Sequence, residues 1–399
     1  MLESNKIKKI LFITGTRADF GKLKPLMNVV EKSKNFVCDI FVTGMHTLEL
    51  YGNTYHEIIK SGFENVHIYR NQFKEEPMET ILGNTILSLS KFVQVNTPDM
   101  IIVHGDRIET LAGVIVGALR NILTCHIEGG ELSGTIDESL RHSISKLAHL
   151  HLVANAEAKN RLIQMGENKN SIFILGSPDI DIMISSNLPT LEIVKNKYKI
   201  NFNKFSIVLF HSVTTEPENQ KQHAEELAQA LIKSNKNYIV IFPNNDTGSH
   251  HIIDEYNKLK LLQNFKVFPS IRFEFFLTLL KNSSFIIGNS SAGIREAPIF
   301  GIPSINIGSR QKNRYQHSSI INTICTKNEI LHGINKATKY KQFAPNMYFG
   351  NGKSSDLFLK ILYDKNTWKT SKQKIFQEIS WENHDSNNSS PRGFKRTSK

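Results

Sequence analysis

Carboxylates arrive in three short stretches of the first half of the chain. They are V-H-G-D-R at residues 103–107, H-I-E-G-G-E at 126–131 and I-D-E-S-L-R-H at 136–142. In the first two, an apolar run breaks into glycine and acid; the third follows at once. Asp106, Glu128, Glu131, Asp137 and Glu138 are therefore expected near the exits of buried strands. In open α/β sheets, ligands bind in the crevice outside the carboxyl ends of the strands. Carboxylates gathered there point to proton transfer. Each acid alone has a plainer reading as the cap of the next helix. Two strand exits in a row, each followed by acid, favour a site.

Two further elements suit an anion. Residues 15–22 read G-T-R-A-D-F-G-K at the end of the first predicted strand. Glycines allow a tight turn, and the free N–H groups of the following helix favour negative charge. Arg17 and Lys22 add cations. Residues 288–298, G-N-S-S-A-G-I-R-E-A-P, form the matching element in the second half. Ser290 and Ser291 supply hydroxyl donors there, with ordinary helix capping as the plainer reading. Glu296, further along the expected helix, is placed to accept hydrogen bonds from a ribose diol. His211, in F-H-S-V-T-T-E, ends the first strand of the second half and faces the cleft. Neither element is a dinucleotide fingerprint or a Walker loop. His104, His126, His142, His149 and His151 are numerous, yet no H-x-x-x-H or H-E-x-x-H pair stands on a predicted helix, so no metal is expected.

These residues need a scaffold, and the apolar pattern supplies one. Short runs rich in Ile, Val and Phe recur at 10–14, 38–43, 66–69, 100–104, 123–127, 150–154 and 172–175. A second set lies at 207–211, 238–242, 266–268, 285–288, 304–307 and 320–321. They show little alternation, as parallel strands covered on both faces do. Helical patterns fall between them, among them 23–32, 110–120 and 225–233, with Pro25 expected in a first turn. Alternation on this scale predicts an α/β protein of two doubly wound, Rossmann-like domains facing each other across a cleft. A polar stretch at 185–204 separates the two strand sets. The expected division is 1–185 and 186–379, the last helix packing back on the first domain. Residues 380–399 lack periodicity and read as a disordered tail.

Composition narrows the class. A chain of 399 residues with 40% apolar content can bury two cores. Cys38, Cys125 and Cys325 lie far apart, so neither disulfide scaffolding nor structural zinc is expected, and the chain reads as cytoplasmic. No uncharged apolar stretch approaches the ~20 residues of a membrane span, and no signal peptide is evident. The net charge of +12 comes from scattered lysines. With no arginine-rich helix or RNA-binding signature, nucleic acid is not an expected partner.

Taken together, I-T-G-T-R-A-D-F-G-K-L-K-P-L, V-T-G-M-H, H-G-D-R, C-H-I-E-G-G-E-L-S-G-T-I-D-E-S-L-R-H-S-I-S-K, P-N-N-D-T-G and G-N-S-S-A-G-I-R-E-A-P resemble the hydrolysing UDP-N-acetylglucosamine 2-epimerases. The resemblance runs over about residues 8–363 and is nearest to capsule-pathway enzymes of bacterial sialic acid synthesis. It implies a glycosyltransferase-B-like fold, no cofactor, and a homo-oligomer, dimer or tetramer. It implies catalytic carboxyls at Asp106, Glu128 and Asp137, the last being Glu in non-hydrolysing relatives. Arg17, Lys22, His211, Ser290, Ser291 and Glu296 match nucleotide-binding positions. The implied reaction eliminates UDP to a 2-acetamidoglucal, then adds water to give N-acetylmannosamine. Asp137 and Glu128 are favoured for the C2 proton transfers, with Asp106 holding or tuning them. The shared fold also admits a retaining glycosyltransferase or a UDP-sugar sensor without turnover.

Overall fold

The structure is a computed structural model that describes residues 7–73, 76–340 and 343–378. The expectation for 380–399 lies outside the described residues. Among the described residues, thirteen strands form two all-parallel sheets. The first contains β1 (Lys8–Thr14), β2 (Phe36–Val42), β3 (Asn65–Ile68), β4 (Met100–His104), β5 (Leu123–Ile127), β6 (Leu150–Val153) and β7 (Ile172–Ile174), in the order β3-β2-β1-β4-β5-β6-β7. The second contains β8 (Ser206–Leu209), β9 (Tyr238–Ile241), β10 (Phe265–Phe268), β11 (Ile286–Gly288), β12 (Ser304–Ile307) and β13 (Ile320–Thr323), in the order β10-β9-β8-β11-β12-β13. The thirteen apolar runs thus all became strands.

Each sheet buries both faces, which explains the missing alternation. In β1, Ile10 and Phe12 enter one core while Leu11 and Ile13 enter the core on the other side. The second sheet does the same with Ile207 and Val208 of β8. The chain returns to its start at the end: helix Ser354–Tyr363 places Phe358 and Leu362 in the first sheet's core, where Phe358 meets Phe12 edge-on. Among the described residues, no helix is long and apolar enough to cross a membrane.

Several local expectations differ. The first helix runs Arg17–Glu31, so Pro25 lies in its interior. Its start is set by a capping box in which Thr16 accepts from the Asp19 N–H and Asp19 accepts from the Thr16 N–H. That signal outweighs the one hydrogen bond that proline removes. Between β11 and β12 no α-helix forms. Two short 3₁₀ turns, Ser291–Gly293 and Ala297–Phe300, take its place, because Pro298 cannot donate and Gly301 closes the second turn in the left-handed region. Glu296 caps that second turn instead of riding on a helix. The polar stretch 185–204 is not simply a spacer. It carries helix Leu191–Tyr198, whose Val194 is buried in the second sheet's core.

In each sheet the strand order reverses at one point, between β1 and β4 and between β8 and β11. The carboxyl ends of those strands face one another, and the crevice at such a point is where α/β sheets take ligands.

Candidate active site

The opposed strand ends enclose a cleft of about 260 Å³. Arg17, Lys22, Asp106, Glu128 and Asp137 line it from one side, and His211, Ser290, Ser291 and Glu296 from the other. All nine positions singled out in the sequence therefore share one cavity. Glu131 and Glu138 stand behind it. Glu138 accepts from the Ser133 N–H at 2.7 Å, the local capping role that strand-end acids often have.

The local backbone explains how these groups reach the cleft. Gly105 turns in the left-handed region at φ +77° and releases Asp106 from the end of β4. Glu128 adopts φ +66° directly after β5. A non-glycine residue there costs on the order of 1–3 kcal/mol, so surrounding contacts must hold it. They do: its N–H donates to Leu152 O, and its carboxylate is gripped from four sides. Gly288, at φ +143°, lies where a Cβ would come within 2.0 Å of Leu209 O, so only glycine lets β11 pass β8 into the Ser290 turn.

The Glu128 carboxylate receives Arg295 at 2.6 Å and the Ser177 hydroxyl at 2.7 Å, with His104 Nε2 at 3.2 Å and Lys22 Nζ at 4.0 Å. All four gather on Oε1. Burial alone would raise its pKa, but Arg295 and Lys22 outweigh burial and hold it well below the usual range. Asp106 is bound by Arg141, and despite burial that guanidinium, with Arg314 and Arg310, holds it low. Asp137 is different. Thr135 caps its helix, Ile136–Leu147, and Arg310 donates to its carboxylate at 2.9 Å. Burial, reinforced by Asp106 and Asp246, nonetheless raises its pKa. Of Asp106, Glu128 and Asp137, the first two are pushed toward the ionised form and the third away from it.

The cations have partners that spacing did not disclose. Lys22 Nζ lies 3.0 Å from Glu296, 3.5 Å from Asp179 and 4.0 Å from Glu128, and these carboxylates raise its pKa against the effect of burial. Spacing showed a lysine beside a strand exit but not the acids from distant segments that converge on it. Arg17 spans the cleft, donating to Glu57 at 2.8 Å on its own side and to Ser270 at 2.7 Å on the other. Glu296 pairs with Lys22 through one oxygen. Its other oxygen, Oε2, is buried without a hydrogen-bond partner, and burial raises its pKa. An orphaned acceptor in a cleft wall suits a ligand hydroxyl.

On the facing side, His211 is buried and its pKa is pushed well down by burial, with Arg310 and Arg107 adding to the effect. Its Nδ1 accepts from the Asn244 N–H at 3.0 Å, so the neutral ring carries its proton on Nε2 as a donor. Asn289 fixes this strand end by bonding both backbone groups of His211, at 2.7 and 2.8 Å. The Ser290 hydroxyl accepts from the Ala292 N–H at 3.3 Å, capping only a single turn.

Sequence reasoning missed much of the supporting charge. Arg295 binds Glu131 and Glu128, and Arg314 binds Glu131 at 2.9 Å. Arg310 binds Asp137, and Asp179 sits beside Lys22. The arginine pairs join the two halves across the cleft. Arg295 was visible inside G-I-R-E, but Arg310 and Arg314 sit in no motif. The Gly134 N–H also donates to Arg310 O at 3.0 Å, tying the acidic loop to the opposite half. Among the described residues no group of three His, Cys, Asp or Glu side chains is arranged to hold a metal ion.

The chain is similar to known proteins. The family model described as UDP-N-acetylglucosamine 2-epimerase matches residues 28–363. The chain is 48% identical over 376 residues to UDP-N-acetylglucosamine 2-epimerase of Neisseria meningitidis serogroup B, covering 94% of this chain and 100% of that protein. It is 33% identical to the hydrolysing UDP-N,N'-diacetylbacillosamine 2-epimerase of Legionella pneumophila, covering 89% and 96% of the two chains. The crystal structure of Methanocaldococcus jannaschii UDP-GlcNAc 2-epimerase in complex with UDP-GlcNAc and UDP superposes with a TM-score of 0.76 at 22% identity, covering 89% of this chain and 99% of that one. The two-domain fold is thus glycosyltransferase-B-like, and the chain belongs to the UDP-N-acetylglucosamine 2-epimerase family.

Proposed function

We propose that this protein is a hydrolysing UDP-N-acetylglucosamine 2-epimerase that releases UDP and N-acetylmannosamine for sialic acid synthesis. The observation that carries this reading is the contrast between Asp137, whose pKa is raised, and Glu128, which is held ionised, on the wall of one cleft. Inverting C2 requires proton removal on one face of the ring and delivery on the other, so two groups with opposite tendencies are needed.

As the C1–O bond to UDP lengthens, positive charge develops on the ring and the C2–H becomes acidic. Glu128 takes that proton. Its low basicity suffices because the proton is activated by the adjacent cationic carbon. The C2–H electron pair becomes the C1=C2 bond of 2-acetamidoglucal, and the C1–O pair leaves with UDP. Water then adds to C1 and loses its surplus proton to solvent, while protonated Asp137 delivers a proton to C2 from the opposite face; before the next turnover Glu128 gives up the proton it took and Asp137 regains one. Asp106, fixed by Arg141, supplies constant negative charge beside the developing cation. His211 Nε2–H and the Ser290 and Ser291 hydroxyls donate to the departing diphosphate, joined by Arg310 when Asp137 is protonated. Glu296 Oε2 accepts from a ribose hydroxyl, with Lys22 holding the carboxylate. Arg17, bridging Glu57 and Ser270, closes the nucleotide end.

Hydrolysis is favoured by Asp at position 137, by the G-G-E-L-S-G-T-I-D-E stretch that resembles the hydrolysing branch, and by the relative whose name carries that activity. A cytoplasmic setting is supported by three unpaired cysteines, two of them buried. A dimer or tetramer is the assembly that the resemblance implies. The test is incubation with UDP-N-acetylglucosamine alone in D₂O, followed by NMR. The expected products are UDP and N-acetylmannosamine carrying deuterium at C2. A transferase stalls without acceptor. Accumulating UDP-N-acetylmannosamine refutes hydrolysis, and protium at C2 refutes elimination.

A further inference from the structure

The catalytic helix Ile136–Leu147 is held at both ends, and its far end is held by a segment beyond the family match. Residues 369–378 follow the last helix and cross the outer end of the first sheet. Phe376 covers Gly166, the Gln377 N–H donates to Gly166 O at 3.2 Å, and the ammonium of Lys146 lies 5.6 Å from the Phe376 ring. At the centre of this strap, Lys374 Nζ donates to Ser145 O at 3.1 Å and to Ala148 O at 2.6 Å. These carbonyls are at the C-terminus of the helix that begins with Asp137. A cation there satisfies carbonyls that lack intrahelical partners and opposes the negative end of the helix dipole.

Lys374 is anchored in turn. Its Nζ also reaches Glu167 Oε2 at 2.5 Å, where His151 Nε2 donates at 3.0 Å, and Lys146 pairs with Glu167 Oε1 at 2.7 Å. Burial alone would raise the Glu167 pKa, but these three donors pull it down to about 2. The strap's backbone is tied down as well. His149 Nδ1 accepts from the Thr124 N–H at 3.0 Å, so its Nε2 is protonated and donates to Lys372 O at 3.0 Å.

From Ser145 a directed line of hydrogen bonds reaches the cleft. His126 Nε2 lies 2.8 Å from Gly105 O and must donate to it. Its Nδ1 is then an acceptor, and the Ser145 hydroxyl donates to it at 3.0 Å. Burial lowers the His126 pKa to about 3, so this ring stays neutral with one defined tautomer. Gly105 O is the carbonyl of the left-handed turn that releases Asp106. One lysine thus grips the residue that supports the Asp106 turn, and the end of the helix that carries Asp137 and Arg141.

We propose that Lys374 is a positioning residue for the C2 proton transfers, acting through helix Ile136–Leu147 and the Ser145–His126–Gly105 line. The inference rests on the functional reading above for its kinetic consequence and on geometry alone for the clamp. Displacing a reacting group by about 1 Å can cost on the order of a hundredfold in rate.

The test uses the full chain with Lys374→Met and Lys374→Arg. Lys374→Met should lower kcat about tenfold or more, with KM and UDP affinity within twofold of wild type. Lys374→Arg, which keeps charged donors, should recover kcat to within threefold. Hydrogen exchange of residues 136–142 should quicken in Lys374→Met while helix Arg17–Glu31 stays unchanged. A soluble Lys374→Met with kcat within twofold of wild type overturns the proposal. So does a parallel loss of kcat and UDP affinity, or unchanged exchange at 136–142. If Lys374→Met does not fold, Ser145→Ala carries the test, because it removes one hydroxyl and keeps the carbonyl. A kcat loss of threefold or more at unchanged KM supports the line, and a smaller loss overturns it. Exchange is read without turnover, so an inactive wild type with quickened exchange in the variant refutes the functional reading and leaves the clamp standing.

Discussion

Asp137→Asn separates the two halves of the proposed reaction. The amide cannot deliver a proton to C2, but it keeps the shape of the carboxylate and can still accept from Arg310. A general acid contributes about 10²–10⁴-fold, which corresponds to roughly 2.7–5.4 kcal/mol of barrier. Folding should change little, for two opposed reasons. Arg310 loses a charge-assisted partner, which costs. Against this, the Asp137 pKa is raised in the folded protein, so its ionised form at neutral pH is already disfavoured by burial and by Asp106 and Asp246. A neutral amide removes that penalty, and the net change in stability should stay within about 1 kcal/mol. The assay is NMR of UDP-N-acetylglucosamine turnover with calorimetry of UDP binding. N-Acetylmannosamine formation should fall a hundredfold or more, 2-acetamidoglucal and UDP should appear in its place, and UDP affinity should hold within threefold. Glu128→Gln should instead stop the reaction before UDP leaves. If Asp137→Asn forms N-acetylmannosamine within tenfold of the wild-type rate and releases no glucal, Asp137 is not the acid of the hydration step.

Three other outcomes follow from the same geometry. Arg295→Met leaves Glu128 and Glu131 buried without their shared guanidinium, so urea unfolding should show a loss of about 3–5 kcal/mol; a loss under 1 kcal/mol would mean that these charges are not truly desolvated. Gly134→Ala places a methyl group 2.0 Å from Ser309 O, so the loop must retreat from the opposite half and UDP affinity should fall at least tenfold; unchanged affinity would show that the halves need not meet here. Glu274 pairs with Lys24 at 2.9 Å and with Arg272, and although burial opposes them these cations lower its pKa to about 2. Its stabilisation is therefore present above the unfolded value near 4.5 and lost as pH falls toward 2. Glu274→Gln should be less stable than wild type by up to about 3 kcal/mol at pH 6 and equal to it near pH 2; a difference that persists at pH 2 would assign the effect to packing.

The scaffold was legible because burial on both faces of a parallel sheet writes itself into consecutive residues. Every run such as 100–104 or 238–242 became a strand, and at 100–104 and 285–288 the glycine at the run's end placed an acid or a hydroxyl in the cleft. The nine candidate positions share one cavity for the same reason: each sits at a strand exit or in the turn or helix start that follows it. Where local signals conflicted, the errors were local too. The Thr16–Asp19 capping box started the first helix earlier than Pro25 suggested, and Pro298 replaced an expected helix with two tight turns. What no stretch of sequence could disclose is which charge meets which. Lys22 looks like a phosphate ligand until Glu296, Asp179 and Glu128 arrive from three distant segments to surround it. Asp106, Glu128 and Asp137 look alike as strand-exit acids, yet Arg141 and Arg295 hold the first two ionised while burial beside other acids raises the third. A carboxylate's identity and its strand are encoded within a few neighbouring residues. Its pKa is set by the charges and the loss of water around it, and here those depend on side chains tens to more than a hundred positions away that only the folded chain brings within a few ångströms.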